Sequence, residues 1–208
     1  IEMHKFCKAF DYLRKDKIMK SLIDKVGNDI RIDDRSEKDL ALAIALLVIE
    51  QQVSFKAAIT IKKRFRNIIE NKNYENIIKM EEEKMKSIGI SYRKVEYIKN
   101  VYRYFQQSNF DFYNESEERV VSELIKIKGI GKWTAEMFLI FILFKENIFS
   151  KGDLALINSI KRNYRIDDLN EKKLDQIIEN WSPYKTIASL LLWKSIEAVS
   201  YTHLRAHE

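Results

Sequence analysis

The 208-residue sequence has little of several residue types that other protein classes need. It contains one cysteine, Cys7, one proline and five glycines. A single cysteine excludes an internal disulfide framework and any four-cysteine zinc or iron–sulfur site, and we expect Cys7 to be a small core residue. So little proline and glycine disfavours a turn-rich all-β sandwich or barrel. The longest apolar run, 40–49, has ten residues, whereas a membrane span needs roughly 20.

Composition and charge indicate a globular protein that suits a nucleic-acid partner. Hydrophobic residues make up 46% and charged residues 33% of the chain, which is not a disordered composition. Lysine plus arginine number 37 against 31 aspartates and glutamates, a net charge of +6. No apolar N-terminal segment precedes a small-residue cleavage site, so we expect no secretory signal. We expect an intracellular monomer, cytoplasmic or nucleoid-associated if the source is bacterial or archaeal.

The apolar periodicity is helical nearly throughout, which predicts an all-α fold of about ten helices. The predicted helix starts are Ser36 with Asp39, Ser54, Ser91, Ser116, Asp153 and Ser182-Pro183. The last helix is predicted to end near Val199. Residues 201–208 do not continue its apolar stripe, so we expect a disordered or non-native tail.

The most informative segment joins an amphipathic helix to a buried one through Gly129-Ile-Gly131. The buried helix is predicted from Trp133 to Phe144. Glycines allow a sharp turn, after which the N–H groups of Gly131 and Lys132 would open the next helix and could hold a phosphate. The same residues also fit a plain tight turn within a helical bundle.

A second informative segment places a carboxylate directly after Gly152. Asp153 stands in Ser150-Lys-Gly152-Asp153-Leu-Ala-Leu, where the next helix is predicted to begin. Aspartate is a favoured N-cap, and this alone could explain it. A cap and a catalytic group are not exclusive, because the carboxylate could also stabilise a developing cation or orient a water molecule.

Four stretches of the sequence resemble, in order, the motifs of one family. They are Ile49-Glu-Gln51-Gln52-Val53-Ser54, then Ser87-Ile-Gly89-Ile-Ser91-x-x-Lys94, then the Gly-Ile-Gly segment with Asp153 twenty residues beyond Trp133, and Trp181-Ser-Pro183-Tyr-Lys-x-x-Ala188 followed by Trp193. Over residues 16–199 the chain resembles the helix-hairpin-helix DNA glycosylase (HhH-GPD) superfamily. The last stretch is similar to its DNA-3-methyladenine glycosylase II (AlkA-like) branch.

The resemblance implies one glycosylase domain over residues 1–200, with two lobes and no N-terminal β domain. The middle lobe would span about 36–148 with the hairpin at 120–144, and both chain ends would form the second lobe. The implied partner is double-stranded DNA that contains a damaged base. The implied reaction is hydrolysis of the N-glycosidic bond of alkylated purines, of the 3-methyladenine and 7-methylguanine type.

Family positions also imply roles for individual residues. The damaged nucleotide is flipped out of the stack, and Gln52, with Gln51 beside it, would fill the gap. The base pocket would be lined by Trp133, Met137 and Trp193. When the family resemblance is set aside, the glutamine pair also fits a polar helix end, and the tryptophans also fit plain core packing. Trp181 is assigned to the core.

The resemblance makes Asp153 the catalytic carboxylate, which would stabilise an oxocarbenium-like sugar. Strand-cutting relatives use a hairpin lysine as a Schiff-base nucleophile, and here Trp133 takes that place. The implied enzyme is therefore monofunctional, with water as nucleophile. DNA backbone contacts are implied for Gly129, Gly131, Lys132 and Thr134.

No cofactor is expected, and the missing cysteines exclude the iron–sulfur branch. Backbone carbonyls of Ile125, Ile127 and Ile130 could hold a structural Na⁺ or K⁺ at the hairpin, as in relatives. Two other functions stay open. One is a glycosylase of this fold for deaminated or oxidised purines, and the other is a non-catalytic DNA-binding protein.

Overall fold

The computed structural model describes the backbone of residues 6–205; the side chains of Asp34, Phe55 and 198–205 are left aside. Within this range the fold is all-α, as predicted, with twelve α-helices, two short 3-10 turns and no strand. The helices are α1 (Cys7–Leu13), α2 (Lys17–Val26), α3 (Leu40–Glu50), α4 (Phe55–Ile69), α5 (Tyr74–Ile78), α6 (Glu82–Lys86), α7 (Tyr92–Gln107), α8 (Glu117–Leu124), α9 (Lys132–Phe141), α10 (Leu154–Tyr164), α11 (Glu171–Glu179) and α12 (Lys185–Arg205). The described range has about two more helices than expected. Helices α5 and α6 are too short to leave a clear apolar periodicity in the sequence.

The chain divides into two compact units, which are described separately. The middle unit comprises residues 35–143, and the terminal unit comprises the chain before and after it. None of the described helices is long and apolar enough to cross a membrane.

The middle unit is built around α3. This helix is apolar on nearly every side and packs against α4, α7 and α9. A helix without a polar face is stable only when it is covered all round. The apolar face of α7 buries Val95, Ile98, Val101 and Tyr102. In α9, all residues from Thr134 to Phe141 are buried.

In the terminal unit, α2 and α10 pack against α12. Trp181 is fully buried, as its assignment to the core predicted. Its ring lies against Phe149 and Tyr164, and its indole N–H donates to Asp16. Asp16 also caps α2 and accepts a hydrogen bond from the Tyr164 hydroxyl. This shared carboxylate ties α2 to the rest of the unit.

Four predicted caps are confirmed by hydrogen bonds from backbone N–H groups to their side chains: Ser54, Ser91, Ser116 and Asp153. The cap predicted at Ser36 is wrong. Asp39 caps α3 instead, because its carboxylate lies directly before the helix and accepts from the N–H groups of Ala41 and Leu42.

Three other local expectations are also wrong. Ser182-Pro183 does not open the last helix, because the Tyr184 N–H donates to the Trp181 carbonyl and closes a turn before Lys185. The last helix continues past Val199 to Arg205, which includes most of the expected tail; no glycine or proline stops it. Residues 206–208 lie outside the described residues. Cys7 is exposed on α1, not buried.

Candidate functional site

The hairpin of the middle unit joins α8 to α9 through a turn that requires Gly129. The backbone φ of Gly129 is +103°, and a Cβ there would lie 2.0 Å from Cγ of Tyr97. Only glycine fits such a conformation so close to a ring. Ile130 is buried beyond it, and its N–H donates to the Ile127 carbonyl at 2.9 Å. The turn is therefore rigid and tightly packed on its inner side.

The outer side of the turn is open. Gly131 is the N-cap residue of α9, with extended backbone and no side-chain cap. A Cβ at Gly131 would meet nothing within 4 Å. Lys132 follows with a side chain 76% exposed, 3.9 Å from Glu136. A cation in the first turn opposes the helix dipole, whereas a bound anion would complement both the lysine and the N–H groups.

Gln51 lies at the end of α3 and points toward the hairpin. Its side-chain amide donates to Oγ1 of Thr134 at 2.9 Å and to the Gly129 carbonyl at 3.3 Å. Thr134 is only 2% exposed. The structure therefore gives both the Gln51 side chain and the Thr134 hydroxyl an internal contact. The DNA contacts predicted for both residues stay predictions.

The bridge from Gln51 yields a stability prediction. Gln51→Ala removes the amide that donates to the Gly129 carbonyl and to Oγ1 of Thr134. We expect this to lower the free energy of unfolding, measured by urea denaturation, by about 1–3 kcal/mol. The neighbouring Gln52→Ala should change it by less than about 0.5 kcal/mol. A cycle of Gln51→Ala with Thr134→Val should be non-additive. Strict additivity would contradict the bridge.

Gln52 differs from its neighbour in both exposure and backbone conformation. Its side chain is exposed, and its φ is 54°, in the left-handed region. A residue other than glycine pays an energetic cost in this conformation, and such strain is concentrated at functional sites. The predicted wedge residue thus stands on a strained turn between α3 and α4.

Lys94, at the start of α7, holds this turn from another side. Its ammonium group donates to the main-chain carbonyls of Ile49 at 2.9 Å and Gln51 at 2.5 Å. Burial lowers the pKa of Lys94 below its ordinary value. The sequence motif marked this lysine without indicating a role, because its contacts lie 43 and 45 residues away along the chain.

The predicted base-pocket residues differ in exposure. Trp133, in the first turn of α9, is half-buried, whereas Met137, one turn further, is 1% exposed. Trp193 is half-buried in α12 of the terminal unit. The pocket roles of these three residues stay predictions. Of them, Trp133 and Trp193 have surface from which to contact a ligand.

Asp153 is the N-cap of α10 in the terminal unit. Its Oδ1 accepts from the Leu156 N–H at 3.0 Å, and its own N–H donates to the Ser150 carbonyl at 3.1 Å. The side chain is half-buried, while Leu154 beside it is 76% exposed. The cap therefore fixes the carboxylate in an orientation at a solvent-accessible helix start. The catalytic role predicted for it stays a prediction.

Metal binding by side chains has no support among the residues that the structure describes. No group of three His, Cys, Asp or Glu side chains among them is suited to a metal ion. At the hairpin, the Ile127 carbonyl already accepts from the Ile130 N–H, which leaves one lone pair for a cation. A monovalent cation on the carbonyls of Ile125, Ile127 and Ile130 stays a prediction.

Comparison with known proteins identifies the family. Residues 46–183 match the HhH-GPD superfamily of base excision DNA repair proteins. The match covers the glutamine pair, the hairpin and the Asp153 cap within one continuous segment. This chain belongs to the HhH-GPD superfamily.

Several similar proteins carry the name DNA-3-methyladenine glycosylase, which for the Bacillus subtilis YfjP protein is given as putative. DNA-3-methyladenine glycosylase 1 of Schizosaccharomyces pombe is 30% identical over 195 residues, which are 90% of this chain and 86% of the relative. The YfjP protein of Bacillus subtilis is 32% identical over 162 residues; the match covers 72% of this chain but only 56% of YfjP. The structure of S. pombe 3-methyladenine DNA glycosylase (Mag1) in complex with abasic DNA is 29% identical. It superposes with a TM-score of 0.84 and covers 91% of this chain and 97% of that one.

Proposed function

We propose that this chain is a monofunctional DNA glycosylase that removes alkylated purines, of the 3-methyladenine and 7-methylguanine type, from duplex DNA. The observation that carries the proposal is the exposed, strained Gln52 beside a Gln51 that is hydrogen-bonded to the hairpin. The S. pombe relative supports it, because abasic DNA is what base removal leaves. DNA is an intracellular substrate, so we also propose an intracellular location.

The hairpin would hold the DNA backbone. The open N–H groups at Gly131 and Lys132 suit one phosphate, and the lysine adds a positive charge beside it. Such a grip is independent of sequence, as a repair enzyme that searches all DNA requires. Gln52, on its exposed turn, would enter the stack and fill the gap that the flipped nucleotide leaves.

Asp153 would act on the sugar and Trp133 on the base. Cleavage of the N-glycosidic bond develops positive charge on the sugar, which the Asp153 carboxylate stabilises. The base leaves with the bonding electron pair, and water adds to C1′ and loses one proton to solvent. An alkylated purine is already cationic, so it leaves without a strong general acid. Its charge also favours stacking on an indole, worth about 0.5–2 kcal/mol. Because Trp133 stands where strand-cutting relatives have lysine, no Schiff base forms.

The test is base release from methylated duplex DNA, with the freed bases separated by chromatography. We expect 3-methyladenine or 7-methylguanine, and no covalent complex with an abasic product under borohydride. Release of only hypoxanthine or oxidised guanine from matched substrates would overturn the lesion assignment. DNA binding without release of any base would overturn the enzymatic proposal, and a borohydride-trapped complex would overturn the monofunctional one.

The strain at Gln52 leads to a prediction that separates stability from activity. Gln52→Gly relieves the left-handed φ, so the free energy of unfolding should stay equal or rise by up to about 1 kcal/mol. Excision should nevertheless slow about tenfold, because the side chain that fills the stack is lost. Asn71→Gly is the matched control, since Asn71 also has a positive φ, of 58°. It should leave excision unchanged. A Gln52→Gly variant that keeps full activity would contradict the wedge.

A further inference from the structure

We infer that Lys94 is a positioning residue for base flipping, which acts by holding the main chain that carries Gln52. This inference rests on the proposed function. Its starting point is geometric: the Lys94 ammonium group bridges the carbonyls of Ile49 and Gln51, directly before Gln52. Lys94 does not contact the reacting atoms in this scheme. It acts through the turn.

The positive charge of Lys94 is stabilised by the carbonyl groups at the end of α3. Lys94 lies in the first turn of α7, where its N–H bonds to the Ser91 cap and a cation opposes that helix's own dipole. The last carbonyls of α3 are the negative end of a helix, and they favour the same cation. Among the described residues no carboxylate forms an ion pair with Lys94, so the two carbonyls are its polar partners. The partly buried ammonium group of Lys94 therefore interacts with this turn.

The turn is held from two directions. Lys94 binds its main chain, and the Gln51 side chain binds the Gly129 carbonyl and Thr134 of the hairpin. Between these anchors the backbone passes into the left-handed conformation of Gln52. Strain of this kind persists only where the surroundings over-determine it. Without Lys94 the turn can relax, and a relaxed turn no longer presents the wedge.

The experiment compares two substrates under single turnover: 7-methylguanine paired in a duplex, and the same base unpaired in a single-nucleotide bulge. Flipping the paired base opens a gap in the stack, whereas extruding the bulged base leaves none. We expect Lys94→Met to slow excision of the paired lesion by up to about tenfold, the effect expected for loss of the Gln52 side chain itself, because a small misplacement is enough to lose its function. Excision from the bulge should slow by less than about threefold. Lys94→Arg should restore the normal ratio between the two substrates.

Lys99→Met is the matched control. Lys99 lies on the same helix, and its ammonium group also donates to a main-chain carbonyl, that of Met80 at 2.7 Å. It should affect stability in the same way as Lys94→Met and leave the substrate ratio unchanged. If Lys94→Met does not fold, Lys94→Gln keeps a donor without the charge and should show a smaller shift of the ratio.

The inference fails if Lys94→Met or Lys94→Gln slows excision from the paired and the bulged substrate equally, because a purely structural role of Lys94 gives that result. It also fails if Lys94→Met further changes the ratio in a Gln52→Ala background, because a residue that acts through Gln52 has no effect without it. Wild-type excision is measured in the same assay. Its absence would contradict the proposed function, whereas normal wild-type excision with an unchanged ratio in the variants contradicts only the role of Lys94.

Discussion

Asp153→Asn is expected to slow base excision by about 100-fold or more, in line with the loss of one well-placed electrostatic group. Asparagine is nearly as good an N-cap as aspartate. The bond from the Leu156 N–H to the side-chain oxygen should therefore survive. The substitution removes the negative charge and keeps a side-chain oxygen for the capping hydrogen bond. The free energy of unfolding should change by less than about 1 kcal/mol, and binding to an abasic-site duplex should persist.

A second capping aspartate provides the control for this variant. Asp39 caps α3 by the same kind of hydrogen bond, from the N–H groups of Ala41 and Leu42. Asp39→Asn should therefore keep normal excision. Single-turnover release of 7-methylguanine, with urea denaturation of each variant, separates the two effects. If Asp153→Asn retains at least a tenth of the wild-type rate, Asp153 is a helix cap and not the catalytic carboxylate.

Gly129→Ala is expected to have the largest effect on stability, about 3 kcal/mol or more of the free energy of unfolding. Two independent costs combine at this position. Its φ of +103° is unfavourable for any residue with a Cβ, and the new methyl group would overlap Cβ, Cγ and Cδ1 of Tyr97, at 2.0–2.6 Å. Either the hairpin or Tyr97 has to move. Urea denaturation followed by circular dichroism measures the loss.

Gly131→Ala is the matched counterpart, because it adds the same methyl group two residues away. It meets no atom within 4 Å, and its φ of −96° suits any residue. The loss of stability should stay below about 1 kcal/mol. Affinity for duplex DNA should nevertheless fall about tenfold, since the methyl group hinders a charge-assisted hydrogen bond to phosphate. Equal stability of the two variants, or unchanged DNA affinity of Gly131→Ala, would contradict this account of the hairpin.

Local features of the fold could be predicted from the sequence because neighbouring residues produce them. The helical period, the caps at Ser54, Ser91, Ser116 and Asp153, and the Gly-Ile-Gly turn all depend on groups a few residues apart. The wrong cap at Ser36 shows the limit of such reasoning. Asp39 and Ser36 both suit a helix start. The cap is Asp39, whose carboxylate also accepts a hydrogen bond from the distant Tyr74 hydroxyl.

The arrangement around Gln51 and Gln52 depends on contacts that local patterns do not encode. In the sequence, Gln51 and Gln52 are two equivalent polar residues at a helix end. The fold turns Gln51 toward Gly129 and Thr134, 78 and 83 residues away, and leaves Gln52 exposed with a left-handed backbone. Lys94 gains its two main-chain contacts in the same way. Helix type, caps and the family motifs follow from residues close in sequence. These long-range side-chain contacts instead depend on which helices pack together, because a hydrogen bond of about 3 Å forms only once packing brings distant groups within reach.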